Sequence, residues 1–61
     1  MKTQYRGYTL VLGENENGYY VMIKDKGNVH IDSSPYRNDI ESAFLAAQNL
    51  LDSIVTKIIL R

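Results

Sequence analysis

The chain has 61 residues, no cysteine, and seven basic against seven acidic side chains, for a formal net charge of zero. These totals allow one domain spanning 1–61 and exclude disulfides and thiolate metal ligands. They also speak against a dedicated nucleic-acid binder, which carries an excess of Lys and Arg. At this length burial and chain entropy nearly cancel, so a core without a staple favours support from self-association or a partner.

Taken in order, Met1 to Gln4 reads as a short polar lead. No apolar run follows Met1, so no signal peptide is expected. No segment is long and apolar enough to span a bilayer, and a cytoplasmic location is the expectation. Tyr5 to Leu12 is strand-like, with Tyr8, Leu10 and Leu12 on one face and Thr9 and Val11 on the other. Gly7 interrupts it and suggests a bulge. Gly13 to Gly18 reads as a polar loop ending in the turn signal Asn17-Gly18. Tyr19 to Lys24 alternates Tyr19, Val21 and Ile23 against Tyr20, Met22 and Lys24. Both of its faces carry apolar residues, so the register of this strand stays open. Asp25 to Gly27 is a tight turn, with Gly27 able to take positive φ. Asn28 to Asp32 is a third strand, with Val29 and Ile31 opposite His30 and Asp32.

The best-specified element comes last. Ile40, Ala43, Phe44, Ala47, Leu50, Leu51, Ile54, Val55 and Ile58 fit an arc of roughly 140° on a helix from Asp39 to Ile58. Pro35 stands before it, and Asn38 followed by Glu41 reads as a capping box. Such a helix is about 30 Å long against roughly 20 Å for a short strand, so its last turns should overhang the sheet. The expected fold is α+β: a three-stranded antiparallel meander covered on one face by a C-terminal helix, in two layers. Its inner face would carry Leu10, Leu12, Val21, Ile23, Val29 and Ile31.

The chemistry-bearing residues are sparse. His30 is the lone histidine, with Asp32 its nearest same-face carboxylate, which is too few ligands for a metal. No serine is singled out as a nucleophile beside it, and the glycines are too scattered to cradle a phosphate. Neither catalytic residues nor a cofactor are therefore expected. Five of the six aromatic side chains are tyrosines, a residue suited both to strands and to contact surfaces. Val11, Tyr20, Met22 and His30 fall on the sheet face away from the helix. Ile59 and Leu60 lie outside the helical apolar arc, in an unbroken apolar end.

Gly18-Tyr-Tyr-Val-Met-Ile23, the turn at Asp25 to Gly27, and Asp39-Ile-Glu-Ser-Ala43 before a long apolar helix resemble the small β-β-β-α domains of the HicB-like antitoxin group. The Tyr5-Arg-Gly-Tyr8 start is similar to that of short bacterial proteins, cyanobacterial ones especially. The resemblance implies the β-β-β-α fold and, for the first group, an antitoxin-like role. The functional expectation is a non-enzymatic interaction module, homodimeric or bound to another protein through Val11, Tyr20, Met22, His30, Ile59 and Leu60. The alternative is an RNA-binding domain that uses the tyrosine-bearing sheet face.

Overall fold

The computed structural model describes residues 1–59, with side chains to Lys57. The chain folds as α+β, with four antiparallel strands in the order β1 (Lys2–Tyr5), β2 (Tyr8–Asn15), β3 (Gly18–Lys24) and β4 (His30–Ser33), followed by α1 (Ile40–Ile59). The sequence reading expected three strands, and the polar lead is the missing one. Lys2 to Gln4 pair with Val11, Leu10 and Thr9, and the Leu12 N–H donates to the Met1 carbonyl at 2.9 Å. A stretch with no apolar alternation forms a strand here because a preformed partner satisfies its backbone groups.

The turns explain how one expected strand became two. Tyr5 pairs with Tyr8 across Arg6 and Gly7, which have φ of 53° and 82°. Positive φ at both central residues matches the right-handed twist of a two-residue hairpin. Gly7 therefore closes a turn and does not form a bulge. At the other end β2 runs on through Glu14 to Asn15, and the loop shrinks to Glu16 and Asn17. The Asn15 carboxamide oxygen accepts the Asn17 N–H at 2.9 Å and holds that turn. In the third turn one Asp25 carboxylate oxygen accepts the Gly27 and Val29 N–H groups, at 2.8 and 3.0 Å. The positive φ of this turn belongs to Asn28, at 64°, and not to Gly27.

The sheet register settles which face is buried. Leu10 pairs with Ile23 and Leu12 with Val21, so β2 and β3 turn these residues to the same side. The helix lies on that side and contributes Ala43, Ala47 and Leu51, which are fully buried with Leu10, Val21 and Ile23. The two helical alanines let the backbone of α1 approach the sheet closely. Phe44 is only half-buried and, like Leu12, Leu50, Val55 and three tyrosines, packs around the margin of this core. Of the nine positions on the apolar arc, Ala43, Ala47 and Leu51 are the fully buried ones, and Leu51 is the largest of them.

Val29 and Ile31 are corrected as well. They are 59 and 40 % exposed, because α1 lies over β3 and β2 and stops short of β4. A register shift between Ile23 and Lys24 sets Asp32 opposite Ile23 but His30 opposite Lys24. His30 and Asp32 therefore stand on different rows and do not share a face. Beyond β4 the edge of β3 stays satisfied by an irregular segment. Ser34 donates its N–H to the Val21 carbonyl at 2.8 Å, and its buried Oγ accepts the Val21 N–H at 2.9 Å. Arg37 and Tyr19 then exchange two backbone bonds of 2.8 and 2.9 Å. Pro35, which lacks an N–H, falls between these two attachments.

The helix starts one residue later than the capping box implied. The Asp39 carboxylate accepts the Ser42 N–H at 2.7 Å, and the Asp39 carbonyl accepts the first helical bond from Ala43. Asp39 is the cap, and Asn38 is exposed. The bond from the Ser42 backbone holds the Asp39 carboxyl below its ordinary range. A lowered carboxylate adds stability above its unfolded pKa and loses it as pH falls through the folded value. Asp39→Ala is therefore expected to lower the melting temperature more at pH 7 than in acid, whereas Asn38→Ala leaves it unchanged. Thermal unfolding followed by circular dichroism reads both. A loss confined to Asn38→Ala would return the cap to that residue.

At its far end α1 is tied to the first hairpin. Asp52 Oδ1 accepts the Tyr5 hydroxyl at 2.9 Å and Arg6 Nε at 2.7 Å. Thr56 and Lys57 beyond it are exposed, in keeping with a helix longer than its sheet. The expected apolar tip of Ile58, Ile59 and Leu60 lies outside the residues whose side chains are described.

Candidate binding face

Every strand turns one face away from α1, and its pairs form cross-strand rows. Lys2, Val11, Met22 and Ser33 make one row, and Gln4, Thr9, Lys24 and His30 make the next. Gly13 with Tyr20, then Asn15 with Gly18, complete the face. Val11, Tyr20 and Met22 are all half-buried although no second layer covers them. Their burial comes from neighbours within the sheet.

Tyr20 shows how. A Cβ at Gly13 would overlap the phenol end of the Tyr20 ring, so the ring lies down across β2 in the space the glycine leaves. Tyr36, from the segment beyond β4, meets it edge-on, with ring centroids 5.5 Å apart at 77°. The Tyr36 hydroxyl in turn accepts the Asn15 side-chain amide at 3.1 Å. Two tyrosines are therefore held in fixed orientation on the open face by a glycine and an asparagine. Tyr36 was not among the residues picked out from sequence for this surface. It follows a proline outside any periodic segment, so no pattern assigned it a face.

The outward rows are basic, which the zero net charge conceals. The rows contain Lys2, Lys24 and His30, and none of their positions is Asp or Glu. Carboxylates lie instead at the turn bearing Glu16, on the helix-side row of Glu14, and along α1. Along the strands, Glu14 and Glu16 stand at one end of the sheet together with Arg37, which pairs with Tyr19, and Arg6, Lys24 and Lys26 stand at the other. Asp25 and Asp52 stand among the latter, Asp52 paired with Arg6. Arg6 is held above its ordinary pKa by the Tyr5 hydroxyl first and by Asp52 second.

The structure also brings together one pair the sequence left unassigned. His30 Nε2 lies 2.8 Å from the Ser33 hydroxyl, a contact that the bulge in β4 makes possible. A nucleophilic serine needs its base oriented by a third group. The nearby Asp32 carboxylate instead accepts the Ser33 N–H at 2.8 Å. His30 is exposed, and the pair has no enclosing cleft. An open hollow of about 460 Å³ lies elsewhere, between the first and third turns, lined by Arg6, Gly7, Tyr8, Asp25, Lys26 and Gly27. Its Arg6 and Asp25 are already engaged with Asp52 and with turn N–H groups. Among the described residues no cluster of three or more His, Asp or Glu side chains is placed to hold a metal ion. No described helix is long and apolar enough to cross a membrane. No family model, no curated protein and no solved structure matches the chain.

Proposed function

We propose that this domain is a non-enzymatic, cytoplasmic interaction module whose working surface is the open face of the sheet. The observation that carries the reading is the pair of oriented tyrosines beside Val11 and Met22, uncovered on a two-layer fold. An apolar and aromatic patch with a polar rim is the composition of a binding surface. Tyrosines immobilised beforehand lose little rotamer entropy when a partner arrives. His30 belongs to the rim of this surface, hydrogen-bonded to Ser33. The HicB-like resemblance agrees with a small binding domain and rests on the sequence motifs alone.

The test is a paired pull-down with nuclease-treated lysate, using Met22→Glu on the open face and Leu45→Glu on the outer side of α1. Both positions lie outside the buried core, and Leu45 is 53 % exposed. Partners retained by the wild type should be lost with Met22→Glu and kept with Leu45→Glu. The reverse pattern would move the working surface to the helix and reject the open face.

A further inference from the structure

We infer that Asn17 is a site of spontaneous covalent modification, where the side-chain amide is exchanged for an acid and part of the product carries an isoaspartyl link in its main chain. Asn17 and Gly18 turn the chain from β2 into β3, and the same dipeptide carries a chemistry of its own. Asparagine is among the chemically labile residues. The deprotonated Gly18 nitrogen attacks the side-chain carbonyl carbon of Asn17. A new C–N bond forms, and the amide nitrogen leaves as ammonia, taking up the proton that Gly18 released. The resulting succinimide ring then consumes one water. Opening at the side-chain carbonyl gives an aspartate in the original main chain. Opening at the main-chain carbonyl leaves Gly18 bonded through the former side chain, which lengthens the backbone by one carbon.

Position selects Asn17 from the five asparagines, since it alone precedes a glycine. A residue without a Cβ leaves its nitrogen open to approach. Glu16, Val29, Asp39 and Leu50 crowd the nitrogens that follow Asn15, Asn28, Asn38 and Asn49. Asn17 is also exposed, and among the described residues its carboxamide has no hydrogen-bond partner. Asn15, by contrast, is held at both ends of its carboxamide, by the Asn17 N–H and the Tyr36 hydroxyl. Gly18 closes the β2–β3 ladder opposite Asn15. The reaction therefore passes through opening of that last pair, at a hairpin end where local opening costs little. The isoaspartyl product then meets a tight neighbour. Gly18 lies so near the Arg37 carbonyl that an added Cβ would stand 2.7 Å from its oxygen. One more main-chain carbon drives Gly18 against that oxygen or slackens the turn that holds Asn15 on Tyr36. The aspartate product keeps the backbone length and leaves both contacts in place.

The test is to keep the purified protein for weeks at body temperature in mildly alkaline buffer. At intervals trypsin releases the peptide from Gly7 to Lys24, and fragmentation in a mass spectrometer locates any lost amide. The Asn17 amide should be lost ahead of the other four, with aspartate and isoaspartate in its place, and faster in concentrated urea. Asn17→Gln, whose longer side chain would have to close a larger ring, should keep its amide over the same period. Both products carry one more negative charge than the parent, so ion exchange isolates them. The isoaspartyl fraction should melt below the wild type by circular dichroism, whereas Asn17→Asp, with the same charge and an ordinary backbone, should melt close to it. An Asn17 amide that persists in the folded protein overturns the inference, whatever happens in urea. Loss led by another asparagine overturns it as well. An isoaspartyl fraction that melts together with Asn17→Asp would reject the displacement of Gly18.

Discussion

Leu51→Ala is expected to remove a large share of the domain's stability at 25 °C. Leu51 is fully exchanged from water into the contact between α1 and the sheet, where it meets the layer of Leu10, Val21 and Ile23. Removing such a side chain costs its transfer free energy and leaves a cavity, together about 3 kcal/mol and up to ~5. A chain of this size has a total stability of roughly 3–9 kcal/mol. The loss is therefore a large share of the whole. The neighbours cannot refill the space, because Ala43 and Ala47 on the same helical face already carry their smallest useful side chains. Phe44→Ala should cost less despite the larger group removed, since Phe44 sits at the half-buried rim. Urea unfolding of both variants gives the order directly. A Phe44→Ala loss larger than that of Leu51→Ala would mean the helix is rotated from the orientation described.

Gly18→Ala is the second large effect, expected at about 3 kcal/mol from strain and overlap together. Gly18 has φ of 126°, a region that side chains other than hydrogen rarely occupy. Its added Cβ would also lie 2.7 Å from the Arg37 carbonyl oxygen. That oxygen cannot retreat freely, because it accepts the Tyr19 N–H at 2.9 Å in the pair that anchors the segment leading into α1. Relief of the overlap would thus loosen the helix attachment. Gly13→Ala is the informative comparison. Its Cβ would meet only the end of the Tyr20 side chain, which can swing off β2. Gly13→Ala should therefore keep most of the stability but displace Tyr20, and so weaken whatever binds the open face. Equal melting temperatures for the two variants would remove the distinction between a backbone clash and a side-chain one.

The two glycines show what kind of information the sequence holds. Periodicity made α1 legible over nearly its whole length, since nine apolar positions at helical spacing leave few alternative readings. Alternation also made the central strands legible: it set Leu10 and Leu12 on one side of β2, and it divided β3 into Val21 and Ile23 against Tyr20 and Met22 without deciding which set is buried. Val11, Tyr20, Met22 and His30 were grouped on one face by alternation, and the assembled sheet turns that face outward. What alternation missed were the elements held by partners and not by their own composition.

β1 is the plainest case. Lys2, Thr3 and Gln4 carry no apolar pattern, and they become a strand because β2 offers backbone partners and the Arg6-Gly7 turn returns the chain at the right twist. Likewise only the assembled sheet shows that Val29 and Ile31 escape cover, because the lateral position of one helix over four strands is not encoded in any local repeat. Tyr36 reaches the open face through an irregular segment pinned by Ser34 and Arg37, whose bonds to β3 are long-range. By itself, then, the sequence determined the two-layer α+β class, the helix and the central strands, because each is written in residue spacing. Tertiary structure alone decided the fourth strand, the buried face of β3, the cap at Asp39 and the pair of oriented tyrosines. Those depend on which groups meet across space, and spacing along a chain does not specify such meetings.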